Sequence, residues 1–391
     1  MPGRFLLKLF LFSLPIFIII GFPFWVLYRS GELMSDSQIV AQMATAQASA
    51  TASAPSDAIV GLAYTNPVDY LNLQSVIAEK PEVLVIGSSR VGQIRSTFFT
   101  PTTTVYIASG LQKISHFRHF LDDIPTSSTP RVMIVGLDEK FFDPAYDSLA
   151  PDNIDALLTQ PFTATDVLTN WTTVYHDYAA GKFTIGGLLR APSSTIGLSA
   201  IVQDAGYRVD GSRQTGTIWN SPANPASSDY EFHSTFSEIA EGIDGFEHSS
   251  MVSQSALDEL DTFLADCQAR HITVIGFLTP FAPDVYQKLM SLPAGQYGFL
   301  KPLPQDVSNV FTKHGFAFYN FMDPTPLGIT DAEVQDGVHM TERGTLKFFL
   351  TMAEQGSSLR QYVDLAALGD ALTASSTTQY DVMPPNPGSK S

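Results

Sequence analysis

The chain has 391 residues, 44% of them apolar and 27 of them Phe, which is enough for one large domain with accessory segments. A formal net charge of −17 with only 22 Lys and Arg excludes a nucleic-acid partner, because such a surface repels polyanions. The single cysteine, Cys267, excludes an intramolecular disulfide and a thiolate metal site. It falls in a predicted amphipathic helix, Ser255 to Ala269, and reads as a small core or helix-surface residue rather than a nucleophile.

Leu9 to Tyr28 is twenty residues without a charge, preceded by Arg4 and Lys8 and followed by Glu32 and Asp36. About 20 apolar residues suit a ~30 Å hydrocarbon core, and a spanning helix tolerates Pro15 and Pro23. The charge bias sets the N-terminus inside and the bulk of the chain outside. The expectation is a signal anchor over residues 1–30 in a bacterial inner (cytoplasmic) membrane, single-pass, with the remainder periplasmic or extracellular. A cleaved signal peptide is the rival, weakened by the length of the apolar stretch and by Arg29-Ser-Gly-Glu where a small-residue cleavage site belongs. Residues 31–57 read as a linker, their Ala/Ser/Thr/Gln run as a tether, with a helical stalk over Gln38 to Ala50 as an option.

Strand-length apolar runs then recur at Val83–Ile86, Thr104–Ala108, Val132–Val135, Thr273–Leu278 and Ala317–Phe321. Helical periodicity follows at Ile114–Leu121, Ala256–Ala269, Val307–Lys313 and Thr341–Met352. Strands alternating with helices require crossover connections, hence a three-layer, flavodoxin-like α/β sandwich with a parallel five-stranded sheet over residues 58–372. Residues 142–250 break the rhythm after the third strand. They are rich in Thr, Ser, Gly and aromatics (Trp171, Trp219, Tyr230) and read as an insertion or cap over the active edge. Tyr207 to Arg213 reads as a turn between short strands, and residues 373–391, rich in Ser, Thr, Pro and Gly, read as a disordered tail.

Two short motifs sit at strand ends, where α/β sheets gather their chemistry. Val83-Leu-Val-Ile-Gly-Ser-Ser-Arg-Val91 is a buried-strand run that breaks at glycine into two serines. Asp336-Gly-Val-His339 follows the last apolar run. A serine needs a base to become a nucleophile, and the base needs a partner to hold its tautomer. Alone, each motif also reads as an ordinary turn or cap, and Asp336 also suits a helix cap near Thr341. Joined by the sheet, they predict serine-dependent acyl transfer. His116 and His119, at i and i+3 of one helix, lack a spaced carboxylate or cysteine partner, so no metal site is expected. Arg90 suits a structural salt bridge as well as a contact to an anionic substrate, and Asp323 suits a turn cap. No Walker or Rossmann glycine pattern is present, so no cofactor is expected.

On these motifs the chain resembles the SGNH or GDSL family of serine esterases and acetyltransferases, in particular its membrane-tethered bacterial branch related to D-alanine-transfer and alginate-acetylation proteins. The family's Gly-Asp-Ser block corresponds to Gly87-Ser88-Ser89, and its Asp-x-x-His block to Asp336-Gly-Val-His339. The resemblance implies Ser89 as nucleophile, His339 as general base and Asp336 as its orienter. It implies that the amides of Gly110 and Ser89 hold the oxyanion, with Ser88, Arg90 and Asp138 lining the site. It covers roughly residues 80 to 355 and leaves the insertion unmatched. One departure stands out: the family's third block carries an Asn donor where this chain has Asp138. An ionised carboxylate only accepts and opposes a developing oxyanion. Asp138 is therefore protonated, or serves another task, or another group donates. The expected activity is an esterase or O-acyltransferase acting on acyl esters of envelope or exported polysaccharide. Expected partners are an acylated glycan, the lipid bilayer through the N-terminal helix, and as a further candidate a membrane acyltransferase. The alternatives are a catalytically inactive envelope protein that binds glycan or an assembly partner, and an ordinary flavodoxin-like domain with accidental motifs.

Overall fold

The computed structural model describes residues 2–49, 56, 58–149, 153–216, 221–356, 358–374 and 379–383. Trp219 and most of the expected tail lie outside them. Five strands form the central sheet: β2 (Val83–Gly87), β3 (Val105–Ser109), β4 (Val132–Leu137), β8 (Thr273–Leu278) and β9 (Ala317–Asn320). Their order is β3-β2-β4-β8-β9, and every pairing is parallel. The first three are buried along their whole length, which is why they read as unbroken apolar runs rather than alternating ones. Each lies within a residue or two of the run that announced it.

Helices cover both faces, as the alternation of side chains along β8 makes plain. A Cβ on Gly276 would sit 2.1 Å from the ring of Phe311, whereas its neighbour Phe277 packs on Phe348 with ring centroids 5.3 Å apart. Phe311 belongs to α15 (Leu303–Lys313) and Phe348 to α16 (Glu342–Glu354). Along the α15 face, α4 (Ile114–Asp122) and α12 (Gln254–Ala269) pack together, α12 also against α15. Cys267 is buried in α12, where burial pushes its thiol well up. The remaining C-terminal helices are α13 (Pro283–Ser291), α14 (Ala294–Tyr297) and α17 (Leu365–Ala374).

Within the expected linker, residues 36–49 are docked helix, and residues 50–55 and 57 lie outside the described residues. After α1 (Pro2–Ser30), α2 (Asp36–Ser49) docks on the domain. Ile39 and Met43, one turn apart, are buried against β1 (Ile59–Val60), and α2 packs along α3 (Val68–Glu79). The Asp36 carboxylate accepts from the amide of Phe162. Two apolar residues one turn apart in an Ala/Ser helix are enough for a docking stripe. Residues 379–383 are likewise seated: Val382 is buried, and the amides of Asp381 and Val382 donate to the buried carboxylate of Glu342.

The insertion after β4 is a set of short helices, α5 (Pro144–Leu149), α6 (Ile154–Thr159), α7 (Ala164–Leu168), α8 (Trp171–Ala179), α9 (Ile185–Arg190), α10 (Leu198–Gln203) and α11 (His233–Glu241). Their five to nine residues leave little room for periodicity. Between them β5 (Thr195–Ile196), β6 (Gly206–Arg208) and β7 (Arg213–Gln214) join β1 in a second sheet, order β5-β1-β6-β7. The expected Tyr207–Arg213 turn is the β6–β7 hairpin. Residues from Phe22 to Ser30 of α1 are clasped by the insertion, with Val26 and Leu27 fully buried among Val167, Val174, Phe183 and Leu188. Among the described residues no helix is long and apolar enough to cross a membrane; several side chains of α1 lie outside that set.

Candidate active site

The strand order places a topological switch point at the carboxyl ends of β2 and β4, where open α/β sheets form their crevice. The chain leaves β2 through a 3-10 turn, Ser89–Val91, fitted by two glycines. Val91 lies over the sheet so closely that a Cβ on Gly87 would be 2.7 Å, and one on Gly136 2.3 Å, from its Cγ1. The turn thereby separates the two serines. Ser88 is buried, its hydroxyl accepting from the Arg90 amide at 3.1 Å, while Ser89 is exposed at the crevice.

Ser89 Oγ lies 2.7 Å from His339 Nε2. On the other side of the ring, His339 Nδ1 is 2.8 Å from Asp336 Oδ2 and 3.0 Å from Oδ1. The carboxylate fixes the tautomer: Nδ1–H donates to Asp336 and Nε2 accepts from the serine hydroxyl. Asp336 also accepts the amides of Val338 and His339, at 2.9 and 2.8 Å. Burial opposes its ionisation, but the facing imidazole and these amides prevail and hold its carboxyl down at about 2. The loop closes on itself through the Gln335 amide, which donates to the His339 carbonyl. Thr341, not Asp336, caps α16. Gly337 abuts Thr235 of α11, whose Oγ1 would be 2.7 Å from an added Cβ, so the insertion packs directly on this loop.

Arg90 points inward and is buried. It grips Glu139 with two bonds, 2.6 and 3.1 Å, donates to Thr279 Oγ1, and stacks over Phe281. Asp138 is equally buried, 3.5 Å from Arg90 Nε and accepting from Thr279 Oγ1 at 3.1 Å. The Asp138 carboxylate thus faces a buried guanidinium carried on the Ser89–Val91 turn. Arg90 makes the salt bridge and also lines the cleft beside His339. Gly110 has φ +135° and its amide donates to the Gly87 carbonyl at 2.9 Å. That donor is engaged within the fold, so Gly110 offers no free N–H to the crevice in this conformation. The Ser89 amide opens the 3-10 turn, where first-turn donors lack an intrahelical partner.

A cleft of about 360 Å³ opens on His339, walled by Lys140 and by Asp229, Thr235, Glu238 and Asp244 of the insertion. Burial and the neighbouring carboxylates raise the Glu238 carboxyl. These wall residues, with Glu139 and Thr279, were not singled out in the sequence. Thr279 alone carried a signal, because it directly follows β8 at the sheet's reactive edge. The other expected residues lie elsewhere: His119 pairs with Asp155 at 2.7 Å, His116 accepts from the Gln112 amide, and Asp323 caps a turn at Thr325. Among the described residues no group of three or more His, Cys, Asp or Glu is placed to hold a metal. No protein-family model matches the chain, and no curated protein or solved structure is significantly similar to it.

Proposed function

We propose that this chain is a membrane-anchored, extracytoplasmic serine esterase or O-acyltransferase of SGNH type. The observation that carries the reading is the unbroken Ser89–His339–Asp336 chain of hydrogen bonds. Ser89 Oγ attacks an ester carbonyl while His339 Nε2 takes its proton, and Asp336 steadies the imidazolium. The Ser89 amide donates to the oxyanion. Collapse expels the alcohol, which receives the proton from His339, and leaves an acyl-serine. Water or a sugar hydroxyl then adds to the acyl carbon and gives its proton to His339, which returns it to Ser89 Oγ as the acyl–serine bond breaks and the acid or new ester leaves. Atoms and charge balance without a cofactor. The cleft's carboxylate, hydroxyl and ammonium groups suit a hydroxyl-rich substrate, so an acylated envelope or exported polysaccharide is the substrate class, with a membrane acyltransferase as candidate acyl source. The charge-free run of α1 provides the anchor.

A fluorophosphonate probe tests the chemistry. The full chain is expected to be labelled, and Ser89→Ala to lose the label; a folded wild-type chain that stays unlabelled overturns the proposal. The second reading, a silent glycan-binding relative, is favoured by the engaged Gly110 amide and by Asp138 in the donor's place.

A further inference from the structure

Fifteen large apolar side chains are exposed among the described residues, and they are not scattered. Six lie on α1, seven between Leu157 and Val202 of the insertion, and two elsewhere, Ile243 and Met251. Patches of this kind mark an interaction surface rather than ordinary surface chemistry. The part of the insertion's share on α8 and α9 borders α1 where it leaves the domain, whereas Leu157 sits on α6 beside α3 and α4. Tyr175 of α8 donates to the Ile19 carbonyl at 2.9 Å, the Phe22 ring packs on Tyr175 and Tyr178, and Arg29 reaches the carbonyls of Leu189 and Ala191. Around these contacts Trp171 (43% exposed), Tyr178, Ile185 and Leu189 (60% exposed) face outward from α8 and α9.

We infer that α8 and α9 form a collar that lies in the interfacial layer of a lipid bilayer around the exit of α1. The inference rests on the anchoring part of the reading above and is independent of the acyl chemistry. Lengths support it. At about 1.5 Å per residue, Pro2 to Ile18 projects some ~26 Å beyond the first contact with α8, close to a ~30 Å hydrocarbon core. A bilayer holding that segment meets the domain at the level of α8 and α9. The side chains found there are of interfacial type: Trp and Tyr, whose rings favour the headgroup layer, beside aliphatic Ile and Leu. Charge agrees in part: exposed Arg190 flanks the collar of a chain whose overall charge is −17, while Lys182 beside it is paired with Asp177 at 2.8 Å. An anionic surface is met by Arg190 at this edge. The insertion would then hold the catalytic cleft at a fixed distance from the membrane.

The test uses the full chain in phosphatidylcholine–phosphatidylglycerol vesicles. Trp25→Phe with Trp219→Phe leaves Trp171 as the only tryptophan. Vesicles with brominated acyl chains are expected to quench Trp171 emission at least about twofold. A control with Trp25, Trp171 and Trp219 all changed to Phe and Lys301→Trp added is expected to keep its emission. Leu189→Glu with Ile185→Glu is expected to halve the Trp171 quenching at equal vesicle binding. If the chain sediments with vesicles but Trp171 is unquenched, the collar is overturned and the anchor stands. If it stays in the supernatant, both fall. An unquenched Trp171 in a detergent-solubilised dimer that Leu189→Glu returns to monomer assigns the patch to a second copy instead.

Discussion

Asp336 holds the loop through Oδ1 and meets the His339 ring with Oδ2 and Oδ1, and a single substitution separates these roles. In Asp336→Asn the amide oxygen still accepts from Val338 and His339, while the ring loses the anion that fixes its tautomer. Ester hydrolysis and probe labelling are expected to fall on the order of 10³–10⁴-fold with an unchanged circular dichroism spectrum. A loss below tenfold would remove Asp336 from the mechanism. The motif was legible in sequence because Asp and His sit three residues apart in the segment that follows the last strand. The choice between Ser88 and Ser89 came from resemblance; in the fold Ser88 is buried and Ser89 exposed. The partners of Arg90 were illegible: Glu139 and Thr279 are 49 and 189 residues away, and only the sheet brings them together.

At the scale of elements, the strand-to-turn junction depends on the absence of side chains. Val91 occupies space that a Cβ on Gly136 would need. Gly136→Ala is expected to destabilise the chain by about 1–3 kcal/mol in urea melts and to lower labelling of Ser89, as the turn is pushed off the sheet. Adding Val91→Ala should restore part of both; equal losses in the single and double variants would place the fault elsewhere. Strands β2, β3, β4 and β8 and four of the helices were legible because strands covered on both faces are apolar along their length and helices of 9 to 16 residues show their period. The half-buried edge strand β9 showed through its aromatic run. The second sheet was not, since strands of two or three residues carry no alternation and β1 finds β5 more than 130 residues away. The α2 helix matches the stalk that Gln38 to Ala50 offered as an option, but its docking was not legible because its stripe is only Ile39 and Met43.

For the whole molecule, acidity governs stability. Burial raises the carboxyls of Asp36, Asp69 and Asp143 to about 6 and that of Glu79 to about 8, and raises Glu32 as well. Unfolded, these groups ionise near pH 4. Between pH 5 and 8 the native state therefore holds more protons than the unfolded one, so stability falls as pH rises. Asp336, lowered to about 2, is ionised in both states there and adds no slope. The melting temperature is expected to decline steadily from pH 5 to pH 8; a rise would show that other groups dominate.

One consequence follows from the 250 residues that separate the serine from its imidazole. The hydroxyl belongs to the earliest strand of the large sheet, and its hydrogen-bond acceptor follows the latest. A nascent polypeptide emerging from the N-terminal end carries an inert alcohol for most of its synthesis. On the chemistry proposed above, reactivity would arise only once the closing segment has been made and docked, and products that lack it would leave surrounding esters intact.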